Sequence, residues 1–441
     1  MVRRLLVGFG IMAAVAVIGY ASALALGIVR AGWVVTLIAE SRPPIIVGLI
    51  HSQTGPLAIS EKSLLDVEIM AIDEINARHL IPGRLVKWEK ADGRSDPAAF
   101  ADQARRMIED RKADVLIGGL TAECRKAMLS VVEAHDSLLM FPANFEGIER
   151  SPHIIYAGGS ANQTIIPAVR WCFDSLKARR FFVIGSEEIS SRCSAEIAKD
   201  AIKASRGELA GESFLPLTGG DASALVEAIR QAKPDVVLNF LVGDSNVGFY
   251  SAFKRAGLTS EKLPVMGFAI AEDELRRFPA GDLAGHYSAW NYFQSLDRPE
   301  NLEFVRKFKA RYGEDRVVSD SMVAAYNAVM IWAEAVKEAG TGEAKFVGQH
   351  FDRQSLDAPE GIVTIDPESR IAWRPFHVGK ARVDGQFDVV WSINKPIHPE
   401  TFVATRSKVQ WEALLAELKT KWGGRWSSSE TIHPNPTPAP K

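Results

Sequence analysis

The sequence predicts an α/β protein made of two doubly wound lobes, preceded by an N-terminal transmembrane or signal helix. Short, nearly continuous apolar strands alternate with amphipathic helices, and this alternation runs through two successive parts of the chain. Continuous apolar strands are typical of parallel sheets that helices cover on both faces. With 441 residues, 47% of them hydrophobic, the chain is long enough for two domains with separate cores.

The first part begins after a short linker, residues 41–44, because two successive prolines do not continue a helix. One face of the helix predicted at 61–78 carries Leu65, Ile69, Ile72 and Ile75, as burial of that face requires. The strands of this part are predicted at 45–50, 115–118 and 138–141, and its other helices at about 95–111 and at 123–134.

The second part repeats the pattern. Its helices are predicted at 161–176, 191–205, 221–232 and 245–256, and its strands at 181–185, 236–240 and 265–268. Residues 285–305 indicate an aromatic strand, a turn and a helix that Asp297 caps, with Pro299 in the first turn. A helix at 318–339, a strand-rich segment at 351–390, a short helix at 411–421 and a disordered tail at 423–441 follow.

The N-terminus predicts export. Residues 5–29 carry no charge and follow Arg3 and Arg4. A spanning helix needs about 20 apolar residues and a signal-peptide core about 7–15, so the length favours an uncleaved anchor whose N-terminus is cytoplasmic. The small-residue pattern Ala21-Ser22-Ala23 leaves a cleaved signal open. In either case we expect the folded part on the periplasmic side of the inner membrane, anchored by residues 5–29 or released after cleavage.

Composition excludes several classes of function. The net charge is −2 and no basic stripe appears, so we expect no nucleic-acid partner. The three cysteines form no CxxC pair and indicate buried thiols, although a Cys172–Cys193 disulfide stays open. Nine histidines are scattered without metal-ligand spacing, so we expect no metal.

Catalysis and cofactor binding also lack support. No serine lies in a GxSxG context, and the glycine pairs at 118–119 and 158–159 lack the lysine and spacing of a phosphate-binding loop. We therefore expect no catalytic residue, no cofactor and no enzyme activity.

Loops that follow the predicted strands nominate a binding site, because open α/β sheets bind ligands beyond the carboxyl ends of their strands. Their small, hydroxyl, amide and acidic groups suit a small polar solute held between two lobes. Each has a structural alternative: residues 52–56 would form only a turn, Asp244 only a helix cap, and Glu188 a solvated pair with Glu187. The candidates are Ser52, Thr54, Leu120, Thr121, Ala122, Ala143, Asn144, Glu188, Ser190, Asp244, Ala269 and Ile270.

Ten blocks of sequence, spread over residues 45–399, resemble the solute-binding proteins of urea and short-chain-amide ABC transporters, which are type I periplasmic binding proteins. The last block, with Pro396 and Pro399, also looks like the amide sensor that regulates aliphatic amidase expression. The blocks are VGLIHSQTGPLAISEKSLLD (47–66), AIDEIN (71–76), CRKAMLSVVE (124–133), LLMFPANFEG (138–147), IIYAGGSANQTIIPAV (154–169), VIGSEEIS (183–190), GDSNVGFY (243–250), AEDELR (271–276), AWNYFQSLDRPENLEFV (289–305) and DGQFDVVW (384–391).

The resemblance implies two lobes joined by three crossovers, a solute in the cleft between them, and ABC permease subunits as partners. It places 43–163 and 285–345 in lobe 1 and 164–284 and 346–405 in lobe 2, between the signal-anchor and linker (1–42) and the C-terminal helix and tail (406–441). The implied pocket loops are 119–122, 141–144, 188–190 and 269–271, which adds Phe141 to the candidates.

The sequence departs from these relatives in the pocket loops. Where an amide binder has the tyrosines of an SxYxYPR pattern, this chain has Glu188 and Ser190, and Phe141 replaces another tyrosine. Each lost hydrogen-bond partner would cost about 1–3 kcal/mol if its mate stayed buried. We therefore expect a urea-like, amide-like or related solute, and we expect Glu188 to favour a cationic or strongly donating one. The alternative is a membrane-anchored sensor of the amide-regulator type that signals to a separate partner.

Overall fold

The computed structural model describes residues 42–217, 220–276, 278–279 and 281–428, and it contains two β-sheets with helices packed against them. The predicted α/β class is confirmed. The predicted helix at 5–29 lies outside these residues. Within the described ranges, no helix has the length and apolar character needed to cross a bilayer.

Fourteen strands are described. They are β1 (Ile45–His51), β2 (Val86–Asp92), β3 (Val115–Gly118), β4 (Leu139–Phe141), β5 (Ile154–Tyr156), β6 (Arg180–Ser186), β7 (Glu208–Leu215), β8 (Val236–Phe240), β9 (Val265–Gly267), β10 (Tyr287–Trp290), β11 (Ser355–Ala358), β12 (Gly361–Ile365), β13 (Ala372–Ala381) and β14 (Phe387–Ile397).

The α-helices are α1 (Ala58–Ala77), α2 (Pro97–Glu109), α3 (Ala122–Ala134), α4 (Ala161–Asp174), α5 (Ile189–Ala204), α6 (Ala222–Ala232), α7 (Asp244–Arg255), α8 (Glu272–Leu275), α9 (Pro299–Tyr312), α10 (Asp320–Ala339), α11 (Ala344–Val347) and α12 (Lys408–Lys421). The expected cap of α9 is wrong: Arg298, not Asp297, occupies the N-cap position and makes no side-chain cap bond. Pro299 lies in the first turn as expected, because its fixed φ suits that position.

The first sheet is parallel throughout, with strand order β2-β1-β3-β4-β5. Alternate residues of its central strands enter different cores: Val47 and Leu49 pack with α1 and α10, whereas Ile50 and Leu116 pack with α2 and α3. Helices therefore cover both faces, as the continuous apolar strands predict.

The second sheet has nine strands in the order β11-β12-β13-β10-β9-β8-β6-β7, with β14 added against β13. The strands from β7 to β10 are parallel, but β13 pairs antiparallel with both β10 and β14. This sheet is mixed rather than parallel throughout, because β11–β14 follow one another through short turns. Phe181 and Val183 face one core, and Phe182 and Ile184 face the other.

The chain passes between the cores of the two sheets at three crossings. The first crossing is residues 157–160, which link β5 to α4, and the second is residues 291–293, which follow β10. The third lies near Ile371, which forms a bridge with Tyr156 and leads into β13. The lobe boundaries drawn from the sequence stay predictions, and strand pairing extends across them. Tyr287–Trp290 pairs within the second sheet, whereas Val363 and Ile365 pack in a core of the first.

Asn291 ties these crossings together. Its Nδ2 donates to the carbonyl of Pro375 at 2.6 Å. Its Oδ1 lies so near Gly159 that a Cβ there would come within 2.2 Å of it. Asn291 is fully buried, so its amide is a fixed contact between chain segments far apart in sequence.

The C-terminal part is more ordered than the composition predicts. Trp411, Leu418 and Trp422 enter a core of the second sheet, and Trp411 Nε1 donates to the carbonyl of Val403 at 2.9 Å. Residues 423–428, assigned from the sequence to a disordered tail, are described and make backbone hydrogen bonds. Residues 429–441 lie outside the described ranges.

All three cysteines are buried and free, which confirms the expectation of buried thiols and leaves no Cys172–Cys193 disulfide.

We predict that Asn291→Ala lowers the free energy of unfolding by about 1–3 kcal/mol, since the Pro375 carbonyl loses its buried donor. Urea denaturation followed by circular dichroism measures this. Asn394→Ala, at an exposed position of β14, is the matched control and should change stability by less than about 0.5 kcal/mol. Equal stability of the two variants would contradict the role given to Asn291.

Candidate functional site

The candidate loops lie at the carboxyl ends of six parallel strands. Those that follow β1, β3 and β4 belong to the first sheet, and those that follow β6, β8 and β9 belong to the second. Five of the six lead directly into a helix, so they present helix N-termini with their backbone N–H groups.

The loop between β3 and α3 needs two glycines. Gly118 has φ +147° and a Cβ there would lie 2.0 Å from the carbonyl oxygen of Ile50, so no other residue fits. Gly119 follows with φ +79°. Thr121 then caps α3, its hydroxyl accepting from the Cys124 N–H at 3.3 Å, and it is half-buried. Leu120 is half-buried and Ala122 is buried.

The polar groups of the loop after β1 hold the loop itself. The Ser52 N–H donates to Glu61 Oε2 at 2.6 Å, and the Ser52 hydroxyl accepts from the Ser95 N–H at 2.8 Å. The Thr54 hydroxyl donates to Asp92 Oδ2 at 2.8 Å. These bonds support the structural alternative for residues 52–56, a turn that ends a strand.

A buried charge cluster supports that turn. His51 Nε2 lies 2.9 Å from Glu68 Oε1, and His51 Nδ1 lies 3.4 Å from Glu61 Oε2. Burial alone would lower the pKa of His51, but the charge of Glu68 and hydrogen bonds with both carboxylates raise it to about 10. His51 is therefore cationic at neutral pH and compensates the buried acids.

The loop after β4 is packed against a second charge cluster. Phe141 is fully buried, with the Arg125 guanidinium 5.0 Å from its ring centroid. Arg125 also pairs with Glu146 at 2.5 Å and with Glu149 at 2.8 Å. Phe141 therefore packs against a buried cation and offers no hydrogen-bonding group of its own side chain.

Ala143 is buried, and Asn144 is half-buried with its Oδ1 accepting from the Gly159 N–H at 2.5 Å. Asn144 therefore connects the loop after β4 to the first crossing.

Glu188 is the N-cap of α5. Its carboxylate accepts from the N–H of Ser190 at 2.8 Å and from the N–H of Ser191. Burial raises the pKa of Glu188 to about 7, although these hydrogen bonds act in the opposite direction. The alternative that Glu188 and Glu187 form a solvated pair is wrong, because Glu188 is buried and Glu187 forms an ion pair with Arg192. Ser190 is half-buried.

The remaining candidates lie after β8 and β9. Asp244 is exposed in the first turn of α7, where Gly243 is the N-cap, so Asp244 is not the cap itself. Ile270 is buried, and its carbonyl accepts from Trp290 Nε1 at 2.7 Å. Ala269 is half-buried.

Glu272, in α8, is an acid that the sequence places in a candidate loop but does not select. It is fully buried, and its Oε1 accepts from the Gln294 N–H at 2.7 Å. Burial, against the opposing hydrogen bond from the Gln294 N–H and with smaller contributions from the charges of Asp273 and Asp320, raises the pKa of Glu272 to about 8. Glu272 thus keeps its proton at neutral pH.

Among the described residues, the loop regions of the two sheets are connected by a direct hydrogen bond and by contacts through Ser427. The Ser60 hydroxyl, on α1, donates to Glu274 Oε1, on α8, at 3.5 Å. The Ser427 hydroxyl donates to Glu123 Oε1, on α3, at 2.8 Å, while Ser427 also bridges Glu188 in antiparallel fashion. The Thr121 loop and the Glu188 loop therefore face each other, and Ser427 lies between them.

Sequence reasoning missed Ser427 and its neighbour Trp426. The signal was present in the composition, because two tryptophans, Trp422 and Trp426, stand in an otherwise Gly- and Ser-rich run. Large aromatic residues are rare in disordered segments, and here they mark a segment that packs.

Concave surface also occurs away from these loops. A cavity of about 460 Å³ lies between β2 and α2 and is lined by charges of both signs, among them Lys90, Arg106 and Asp110. It lies at the outer edge of the first sheet, whereas the candidate loops lie at the carboxyl ends of the strands.

A model of the periplasmic binding protein domain matches residues 45–408, and the chain belongs to this family. The Leu/Ile/Val-binding protein homolog 6 of Brucella suis biovar 1 is 24% identical over 337 residues, which cover 74% of this chain and 84% of that protein. Limonene hydroxylase of Geobacillus stearothermophilus is 40% identical over 114 residues, 26% of this chain, and this chain spans only about a fifth (21%) of that protein's length.

Solved structures share the fold. One is a solute-binding protein of an ABC transporter from Rhodopseudomonas palustris BisB5 in complex with 3,4-dihydroxybenzoic acid. It superposes with a TM-score of 0.73 at 21% identity, over 81% of this chain and 99% of that one.

We predict that Glu272→Gln makes stability less dependent on pH. Native Glu272 holds its proton up to about pH 8, whereas the unfolded side chain releases it near pH 4.5, so its contribution to the free energy of unfolding falls as pH rises between those values. At pH 8.5 the variant should be more stable than the wild type by about 1 kcal/mol or more, since one pKa unit is worth about 1.4 kcal/mol.

Urea denaturation at pH 5 and pH 8.5 measures this difference, and the exposed Glu89→Gln in β2 is the matched control. A variant whose stability parallels that of the wild type at both pH values would refute the buried, protonated state of Glu272.

Proposed function

We propose that this chain is an extracytoplasmic solute-binding protein of an ABC uptake system and binds a small polar solute between the strand-end loops of its two sheets. The observation that carries the proposal is that the Thr121 loop and the Glu188 loop, from different sheets, come close enough for one serine to contact both. Membership of the periplasmic binding protein family supports a binding role.

In this proposal the chain performs no chemistry. Hydrogen bonds would hold the solute, closure of the two lobes would bury it, and the closed form would be read by permease subunits. The three crossings tied by Asn291 support a hinged pair of lobes.

The groups at the cleft favour a solute rich in N–H or O–H donors, of the urea, amide or related class. Glu123 and Glu188 accept hydrogen bonds. The tyrosine hydroxyls of the amide binders that the sequence resembles are replaced in this chain by Glu188, Ser190 and Phe141. A cationic amidine or amine would gain from the Glu188 carboxylate. Leucine, isoleucine and valine, which the name of the Brucella relative mentions, and 3,4-dihydroxybenzoic acid, which the Rhodopseudomonas palustris protein binds, belong among the solutes to be tested.

We predict that one solute of a small panel binds with one-to-one stoichiometry. The panel is urea, acetamide, acetamidine, L-leucine and 3,4-dihydroxybenzoate, screened by thermal melting of the full chain and confirmed by isothermal titration. A solute at a hundred times its dissociation constant stabilises the folded state by about 2.7 kcal/mol, which shifts the melting temperature measurably. Absence of any shift across the panel would count against the proposed solute class.

We predict that Glu188→Gln lowers the preference for acetamidine over acetamide by about tenfold, equivalent to about 1.4 kcal/mol. The two solutes have the same shape and differ in charge, so their affinity ratio isolates the carboxylate. Because the pKa of Glu188 is about 7, the wild-type ratio should rise between pH 6 and pH 8 and that of the variant should not. Titration calorimetry measures both ratios.

Glu89→Gln, on the exposed edge of the first sheet, serves as the control for the change in net charge. A ratio that is the same in the wild type and in Glu188→Gln would remove Glu188 from the site.

The alternative function is a membrane-anchored sensor that binds the same solute and signals to a separate partner. The uncharged stretch at 5–29 favours it, because an uncleaved anchor would keep the protein at the periplasmic side of the inner membrane. N-terminal sequencing of the mature protein from membranes decides between anchor and cleaved signal. Copurification with permease and ATPase subunits would favour transport, and copurification with a kinase would favour sensing.

A further inference from the structure

The C-terminal strap, residues 423–428, pairs with the loop before α5, close to the proposed solute site. The Ile189 N–H donates to the Trp426 carbonyl at 3.0 Å, and the Ser428 N–H donates to the Glu187 carbonyl at 2.8 Å. Ser427 lies between these bonds and forms an isolated antiparallel bridge with Glu188. Main-chain hydrogen bonds of this kind provide affinity when an extended segment pairs with a second backbone segment.

The strap also contacts the other side of the cleft. The Ser427 hydroxyl donates to Glu123 at 2.8 Å, and Lys126, also on α3, lies 4.7 Å from the ring centroid of Trp426. One short segment is thus bonded to α3 of the first sheet and to the loop before α5 of the second.

Helix α12 holds the strap in place. Trp411 is fully buried, and Trp422, one residue before the strap, is 4% exposed in the same core. Arg406, just before the helix, forms ion pairs with Glu196 and Asp200 on α5. The strap therefore begins from a fixed point beside the cleft, and its short tether keeps its local concentration in the millimolar range.

We propose that the C-terminal strap is a built-in competitor of the solute: it bonds to Glu123 and to the Glu188 loop, as in this structure, and leaves when solute binds. This inference rests on the proposed function. The Ser427 hydroxyl donates to Glu123 Oε1 as a solute N–H or O–H would, so the strap and the solute compete for that oxygen. The strap sets a threshold, since only a solute that outcompetes it gains entry.

The expected effect follows from the fraction of molecules whose cleft is open. A strap seated in about nine of ten molecules weakens the apparent affinity about tenfold, and its removal restores that factor. The strap pairs through backbone bonds, so a proline at position 428, which lacks an N–H, should unseat it, whereas threonine, which keeps both the N–H and a hydroxyl, should not.

The test compares the full chain, the chain ended after Gly424, and the pair Ser428→Pro and Ser428→Thr. The chain ended after Gly424 retains Trp411 and Trp422, and Ser428→Pro keeps the whole length in case the shortened chain folds poorly. Each is titrated with urea, acetamide, acetamidine, L-leucine and 3,4-dihydroxybenzoate, and the exchange of the Ile189 amide hydrogen is followed by mass spectrometry with and without solute.

We expect the shortened chain and Ser428→Pro to bind a solute of the panel about tenfold more tightly than the full chain, with Ser428→Thr unchanged. In the full chain, saturating solute should speed the exchange of the Ile189 amide. Equal affinity of the full chain and Ser428→Pro, or Ile189 exchange that solute does not alter, would overturn the competition and leave the proposed function standing. Binding to none of these chains would overturn the proposed function and, with it, the role of the strap.

Discussion

The side-chain amide of Asn291 joins the three segments that pass between the two sheets. Its Nδ2 donates to the carbonyl of Pro375, in β13 just after the third crossing. Its Oδ1 lies against Gly159 in the first crossing, and Asn291 itself begins the second. A buried amide tolerates little change in geometry before it loses a partner that is costly to leave unpaired. Asn291 is therefore a fixed contact in the region where the chain passes between the two sheets, and the loops at the strand ends are placed relative to it.

The buried carboxylates around the candidate site differ in how their charge is compensated, and the neighbours of each carboxylate decide this. Glu61 and Glu68 are compensated by the cationic His51, and Glu146 and Glu149 by Arg125. Glu272 has its main contact with a backbone N–H, and burial keeps it protonated. Glu188, with a pKa of about 7 and two N–H donors, lies between these cases and can carry charge when a donor approaches.

Much of the fold was predictable because buried parallel strands are apolar without interruption, as in Val115–Gly118 and Val236–Phe240. The pattern misses β2 and β7, which are edge strands with polar exposed residues, and β5, which has only three residues. The strand-end rule placed Thr121 and Glu188 at facing edges, but it could not show that Ser52 and Thr54 use their hydroxyls within their own loop. Ser427 was out of reach, since its partners, Glu123 and Glu188, lie some 300 and 240 residues away in the chain.

The three buried thiols have a practical consequence for measuring motion. Burial raises the pKa of Cys124 to about 12 and raises the pKa values of Cys172 and Cys193 as well, so all three stay protonated and shielded from reagents near neutrality. One cysteine introduced at an exposed position beside each of the two sheets would then give the reactive pair in the folded protein. Fluorophores attached there would report the distance between the two sheets without first replacing the native sulfur atoms.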